Sequence, residues 1–114
     1  MIRALPPEDV LLGFFGVEPQ VLDAGVPWFY NRLTFSLETS VDHLTCAIEP
    51  AEGHIEVAWR HQGEEAVRVN LDSLRTLVVT SEAGISYLLA AQEGNSVQLR
   101  LWLEPHVRVF VGAI

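Results

Sequence analysis

Apolar and polar residues alternate with a period of two along most of the chain after residue 30. This is the spacing of a β-strand that buries one face and exposes the other to water. Six segments show the pattern, so we expect their apolar residues to form the core of a β-sheet protein. These residues are Leu33, Phe35 and Leu37; Leu44, Cys46 and Ile48; Ile55, Val57 and Trp59; Val67, Val69 and Leu71; Val97, Leu99, Leu101 and Leu103; and Val107, Val109 and Val111.

Two further segments, Leu74–Thr80 and Ile85–Gln92, are apolar on both faces, which is typical of strands covered on both sides. In the second, Leu88–Ala91 has good helix propensity, so a short helix is the alternative there. Short glycine-marked turns lie at 51–53, 61–64, 82–84 and 93–95, and such turns join antiparallel neighbours. We therefore predict a mainly β fold, an antiparallel meander of seven or eight strands that forms a bent sheet, a sandwich or a partly open barrel.

One short N-terminal helix is predicted over Pro7–Phe15, with Gly16 as its C-cap. Its apolar residues lie at helical spacing, which favours packing on the sheet over a free docking helix. Residues 17–29 contain two prolines and indicate a connector. The expected organisation is one domain over residues 1–114, with the helix and connector in 1–29 and the β-meander in 30–112.

The charge balance limits the class of partner. Fifteen acidic residues face seven arginines, and the net charge is -8. A field of this sign disfavours binding to nucleic acid and to an anionic membrane surface. It permits a basic protein partner, although it also serves solubility alone.

The cellular compartment is indicated by the N-terminus and the cysteine content. Residues 1–9 hold two prolines and two acids where a signal peptide has an apolar stretch, and no apolar run approaches the length of a membrane span. Cys46 is the only cysteine, which excludes an internal disulfide and favours a buried small hydrophobe. These features predict a cytoplasmic protein.

Catalytic and metal chemistry find little support in the sequence. His54 and Glu56 lie two residues apart on a strand and point to one face, so they could supply two metal ligands. Most catalytic zinc centres need a third protein ligand, and no spacing identifies it. No serine lies in a nucleophile elbow and no phosphate-binding loop is present. We therefore expect no enzymatic activity, no metal and no cofactor.

The outward face of the last two strands is more informative. Trp102 and Phe110 share a phase with Arg100 and Arg108, and these residue types are enriched in binding hot spots. The alternative is that the N-terminal helix or the segment around Trp28 covers this face. If the face is open, it is a partner-binding patch or a homodimer interface, and Trp102→Ala or charge reversal at the arginines should weaken binding. The predicted partner-binding residues are Trp102, Arg100, Arg108, Phe110, Glu104 and Trp28.

The strand segments 33–37, 54–59 and 97–105 carry a resemblance to a protein class. With the closing Leu-Glu-Pro-His-Val-Arg-Val at 103–109 and the short helical N-terminus, they make the chain resemble small β-rich immunity proteins of bacterial polymorphic-toxin systems. The resemblance covers roughly residues 30–112. It implies a cytoplasmic protein that binds and neutralises one cognate toxin domain without catalysis and meets a basic toxin surface with acidic groups.

The residues alone leave two other functions open. The first is a small-molecule carrier or enzyme built on an open β-barrel, with a ligand held among Phe35, Trp59, Tyr87 and Leu101. The second is a structural subunit that self-associates through free strand edges.

Overall fold

The computed structural model describes residues 2–93 and 97–113, and within these ranges it contains one α-helix and nine β-strands. Of the turn expected at Glu93–Asn95, only Glu93 lies within the described residues. The elements are α1 (Glu8–Phe15), β1 (Gln20–Val21), β2 (Leu33–Glu38), β3 (Asp42–Glu49), β4 (His54–His61), β5 (Glu64–Leu71), β6 (Leu74–Glu82), β7 (Ile85–Gln92), β8 (Gln98–Trp102) and β9 (Arg108–Gly112).

The strands form two antiparallel sheets in chain order. The first sheet has the order β1-β2-β3-β4-β5 and the second has the order β6-β7-β8-β9. This confirms the mainly β, antiparallel meander. The strand that the pattern did not predict is β1, which has only two residues, Gln20 and Val21, paired with Thr34 and Leu33. The Leu88–Ala91 segment is strand, not helix, because it pairs with β6 and β8.

The two sheets enclose one core. Most of the apolar residues that alternate along the strands lie inside, and both sheets contribute to a single cluster. Val111, which the pattern also placed inside, is 43% exposed because β9 is the edge strand of its sheet. Strands β6 and β7 were predicted to be covered on both faces. This holds for β7, because Tyr87 and Ala91 on its outer face are each 8% exposed. It does not hold for β6, where Val78 on the outer face is only half-buried. Fully or almost fully buried residues include Phe35, Leu44, Cys46, Ile48, Ile55 and Val57 from the first sheet and Leu77, Leu88, Ala90, Leu99 and Leu101 from the second.

Helix α1 packs against this core. It follows Pro7 and ends at Gly16, whose left-handed backbone (φ 71°) lets its N–H donate to the carbonyl of Leu12 at 2.8 Å. Leu11 and Phe15 are its buried residues, and the Phe15 ring stacks on Phe35 with 4.1 Å between ring centroids. The prediction that the helix packs on the sheet is confirmed. No helix in the described residues is long and apolar enough to cross a lipid bilayer.

The passage from one sheet to the other lies between β5 and β6. The N–H of Leu74 donates to the carbonyl of Gly53, in the β3–β4 turn, at 2.9 Å. A Cβ at Gly53 would lie 3.1 Å from the Leu74 carbonyl oxygen, so the close approach of these two backbones requires glycine. On the other side of β6, the N–H of Leu77 donates to the carbonyl of Ala4, and residues 2–4 cover that sheet edge.

Candidate functional site

The outer face of the second sheet brings four of the predicted binding residues together. In the β8–β9 ladder, Arg100 is directly opposite Phe110 and Trp102 is directly opposite Arg108. Their neighbours Leu99 and Leu101 are fully buried, so the strand phase is as expected. Tyr87 of β7 joins them on the same face. We call this surface the aromatic–arginine face, defined by Tyr87, Arg100, Trp102, Arg108 and Phe110.

Ring and guanidinium contacts hold the aromatic–arginine face in one arrangement. Arg108 lies over the ring of Trp102, 4.6 Å from its centroid, and Arg100 lies 5.4 Å from the centroid of Tyr87. The Tyr87 and Trp102 rings are 5.3 Å apart. Each cation–π contact at an exposed site stabilises by about 0.5–1 kcal/mol. These contacts favour the arrangement in which both guanidinium groups lie against the aromatic rings.

The aromatic–arginine face is open to solvent on its β9 side, whereas Tyr87, in contact with Arg100 and Trp102, is buried. Phe110 is 47% exposed and Arg108 is also exposed, while Trp102 is half-buried. The helix does not cover them, because its buried residues Leu11 and Phe15 belong to the core on the other side of the sheet. A depression of about 320 Å³ lies on this face, lined by Gln98, Arg100, Trp102, Phe110 and Ala113.

Trp28 and Glu104, the other two predicted binding residues, lie elsewhere. Trp28 begins a short 3-10 turn, Trp28–Tyr30, and its side chain packs against the core and edge-on to Phe29. Glu104 is exposed in the turn between β8 and β9, beside a groove of about 630 Å³ between the helix and the second sheet. That groove is lined by Gly13, Phe14, Val79, Gly84, Ile85, Ser86, Leu103, Glu104 and Pro105.

The outer face of the first sheet has a different character. Its centre carries small side chains, Thr34, Thr45, Ala47 and Ala58, which form the floor of a shallow depression of about 240 Å³. Carboxylates stand around this floor on the outward positions of β2 to β5 and in the turn after β5. We call this surface the acidic face, defined by Glu38, Glu49, Glu56, Glu65 and Asp72.

A chain of ion pairs orders one side of the acidic face. Arg32, just before β2, donates to Glu49 at 2.6 Å and to Glu56 at 2.8 Å. His54 contacts the other oxygen of Glu56 at 3.0 Å and Asp72 at 2.6 Å. The sequence predicted that His54 and Glu56 share one face, but it did not bring Arg32 and Asp72 to them. These two lie outside the strands, and only the strand register brings them to the same surface.

The ion-pair chain shifts the pKa of its members. Burial lowers the pKa of His54, but hydrogen bonds to Glu56 and Asp72, together with their charges, outweigh burial, and the pKa is raised. Hydrogen bonds from His54 and Arg32 lower the pKa of Glu56. Both groups are therefore favoured in their charged forms, and the network is ionic near pH 6.

A second polar group lies at the other end of the same sheet. Asp42 accepts hydrogen bonds from the Trp59 indole N–H at 2.9 Å and from His61 at 2.6 Å, and these bonds lower its pKa. Asp42 shares its strand phase with buried Leu44, so this group belongs to the rim of the core and not to the acidic face.

The charge of the chain is segregated between the two sheets. Residues 20–72, which form the first sheet, contain nine acidic residues and three arginines, a net charge of -6. Residues 73–113, which form the second sheet, contain three of each and are neutral. On the outer face of the first sheet the five carboxylates of the acidic face outnumber three arginines, Arg32, Arg60 and Arg68. The outer face of the second sheet carries Arg100 and Arg108 instead.

The described residues do not assemble the other candidate sites. No group of three or more metal-ligating side chains is placed to hold an ion within residues 2–93 and 97–113. His54 and Glu56 do share a face, as expected, but they are engaged with Asp72, Arg32 and each other. Of the residues considered for a small ligand, Phe35 and Leu101 are fully buried in the core, whereas Tyr87 lies on the aromatic–arginine face. Cys46 is fully buried, which raises the pKa of its thiol.

Comparison with known proteins identifies a match at the level of structure. No protein-family profile and no curated protein sequence matches the chain. Among solved structures, it is similar to a chain of a contact-dependent growth inhibition toxin–immunity protein complex from Klebsiella pneumoniae 342, with a TM-score of 0.82 and 15% sequence identity. The similarity covers 100% of both chains. The fold is thus the same over the full length, which agrees with the resemblance that the strand pattern indicated.

Proposed function

We propose that this chain is an immunity protein that binds one cognate bacterial toxin domain in the cytoplasm and neutralises it without catalysis. The observation that carries the proposal is the full-length similarity, at a TM-score of 0.82, to a chain from a toxin–immunity complex. A fold alone does not define a function, so the proposal also needs a surface that fits such a partner.

The acidic face is the surface that we assign to the toxin. The resemblance to immunity proteins implies a basic toxin surface, and on the acidic face five carboxylates stand against three arginines, Arg32, Arg60 and Arg68. Its small-residue floor, bordered by Glu56, Arg32 and Arg68, gives a side chain of the toxin room to enter. Complementary charge of this kind raises the association rate and selects the partner.

A non-catalytic role is supported by how the polar groups are used. Glu49 and Glu56 are held in ion pairs with Arg32, which leaves neither carboxylate free to act as a general base. Cys46 is inaccessible in the core, which suits a thiol that has no reaction to perform. An unpaired cysteine also suits a reducing compartment.

The test begins with the genes beside this one, of which one should encode the cognate toxin domain. Binding to this neighbouring toxin domain is then measured by surface plasmon resonance with two charge-matched variants. Glu38→Lys with Glu65→Lys changes the acidic face by four charges. Glu82→Lys with Glu104→Lys makes the same change on the neutral sheet. We expect the first pair to lower the association rate constant at least about tenfold and the second to change it far less.

Two outcomes would contradict the proposal at different levels. Equal effects of the two variant pairs would remove the acidic face as the toxin site while leaving the immunity role intact. No binding of the unmodified chain to the neighbouring toxin domain would overturn the immunity role itself. Circular dichroism melts of both variants check that the four substitutions, all at exposed positions, preserve the fold.

A further inference from the structure

We propose that β9 pairs antiparallel with β9 of a second copy of this chain, so that the two four-stranded sheets join into one sheet across a two-fold axis. The proposal does not depend on the toxin, because it concerns the neutral sheet and not the acidic face. It assigns a partner to the β9 edge of the aromatic–arginine face, where the sequence left a separate partner and a homodimer open.

The first support is the unprotected edge of β9. In the described residues β9 pairs only with β8, and its other edge presents free backbone donors and acceptors. Edge strands are normally shielded by charge, proline or a covering segment. On the opposite edge of the same sheet, residues 2–4 supply such a cover for β6. Within β9 only Arg108, at one end, is charged.

The second support is exposed apolar surface on both sides of β9. Phe110 on the outer side is 47% exposed, and Val111 on the inner side is 43% exposed. The neighbouring strand β8 shows the opposite, since Leu99 and Leu101 on its inner side are fully buried. An added strand would cover both Phe110 and Val111, as a continuing sheet does.

The third support is that β9 is complementary to itself. An antiparallel pair centred on Phe110 places Phe110 opposite its counterpart, Val109 opposite Val111, and Arg108 opposite Gly112. Aromatic and β-branched cross-strand pairs stabilise sheets, and no like charges meet in this register. Gly112 has no side chain, and the Phe110 ring of the same strand lies over it. The Cζ of this ring is 2.8 Å from the position that a Cβ at residue 112 would take. An arginine from the second copy can therefore lie beside that ring.

The fourth support is charge. Two copies that each carry a net charge of -8 repel, and the repulsion is least where they meet through a neutral surface. Residues 73–113 are that surface, with three acidic residues and three arginines. Pairing through β9 also keeps the two acidic faces outside the contact.

The experiment is sedimentation velocity of the purified chain and of two variants, Phe110→Arg and Phe110→Glu. We expect the unmodified chain to be a dimer. Each variant places like charges opposite each other in the pair and should raise the dimer dissociation constant at least about tenfold. An equimolar mixture of the two variants places opposite charges there and should recover the dimer.

A matched control and the contradicting results complete the test. Val21→Arg substitutes a residue of almost equal exposure, 46%, in an edge strand of the other sheet and should leave the dimer unchanged. A monomeric unmodified chain, or variants that remain dimeric, would overturn the proposal. A mixture that stays monomeric would overturn pairing centred on Phe110. Only folded variants can form the dimer in the mixture. Recovery of the dimer therefore also shows that each variant alone is monomeric because of charge repulsion and not because it is unfolded.

Discussion

Phe15 of the helix stacks on Phe35 of β2 with an interplanar angle of 12°. Phe15 is 3% exposed and Phe35 is fully buried. Because α1 also contacts β6 and β7, this ring pair ties the helix and both sheets into one core. The helix is therefore part of the packing that holds the two outer faces in position.

Phe15→Ala should destabilise the protein by about 3–5 kcal/mol, because it removes a buried ring and leaves a cavity beside Phe35. Urea unfolding followed by circular dichroism measures this. Phe14→Ala is the control, since Phe14 is only half-buried and touches Phe15 edge-on. A smaller loss for Phe15 than for Phe14 would show that the helix does not contribute to the core.

Gly13→Ala should stabilise the protein by about 0.5–1 kcal/mol, because Gly13 lies within the helix and a Cβ there meets no atom within 4 Å. Gly16→Ala should have the opposite sign, since Gly16 has φ of 71° at the C-cap. Melting temperatures of the two single variants compare the effects directly. Destabilisation by Gly13→Ala would mean that the helix end is not formed as described.

Val57→Asp should prevent folding, because Val57 is 1% exposed and an unpaired buried charge costs several kcal/mol. Leu101→Asp, at a fully buried position of the second sheet, should do the same. Ala58→Asp is the matched control for the first sheet. Ala58 points outward and is paired with Arg68, so this variant should fold. A cooperative thermal transition for Val57→Asp would mean that the strand phase is reversed.

The His54 network should make stability depend on pH. Because the folded state raises the pKa of His54, protonation of this ring stabilises the fold at pH values below its ordinary pKa of 6.5. The stabilisation is lost as pH rises through the pKa of His54 in the folded state. Because the folded state lowers the pKa of Glu56, ionisation of this carboxyl stabilises the fold at pH values above its ordinary pKa of 4.5. The stabilisation is lost as pH falls through the pKa of Glu56 in the folded state. The two effects coexist between pH 4.5 and 6.5.

His54→Asn should therefore lose most stability, relative to the unmodified chain, in that interval. The loss should be no more than about 1 kcal/mol, because Glu56 is 41% exposed and solvent screens the pair. Urea midpoints across pH measure the difference. His43→Asn, at an exposed position of β3 where the ring contacts the Ser36 hydroxyl, is the control. A stability difference that does not vary with pH would exclude the ion pairs as its source.

The strands and their phase could be predicted because alternation records which face is buried. Val57, Leu99 and Leu101 were placed inside by pattern alone, and they are inside. The separation into two sheets could not be predicted, since the turn at Asp72–Ser73 is as short as the hairpins that stay within one sheet. Strand β1 was missed because two residues cannot display a period.

The connector after the helix depends on contacts that a pattern does not reveal. The buried side chain of Asn31 accepts from the N–H groups of Leu22 and Asp23 at 3.0 and 3.1 Å and donates to the carbonyls of Asp23 and Val26. These partners are five to nine residues away and carry no motif. The sequence therefore predicts a connector over residues 17–29 without any of these contacts.

The candidate surfaces were predictable to different extents. Arg100, Trp102, Arg108 and Phe110 were grouped correctly because they share one strand phase on neighbouring strands. Tyr87 was missed as their neighbour, since β7 is apolar on both faces and gives no phase. The acidic face was only implied by net charge, because its position depends on which strands form the first sheet.

Titration of the purified chain against a fixed amount of the neighbouring toxin domain tests the central claim most directly. If the chain neutralises the toxin by binding alone, toxin activity should fall linearly and reach zero at one chain per toxin. Inactivation at far less than one equivalent would mean that the chain is a catalyst. Full toxin activity in the presence of excess chain would mean that it is not the immunity protein.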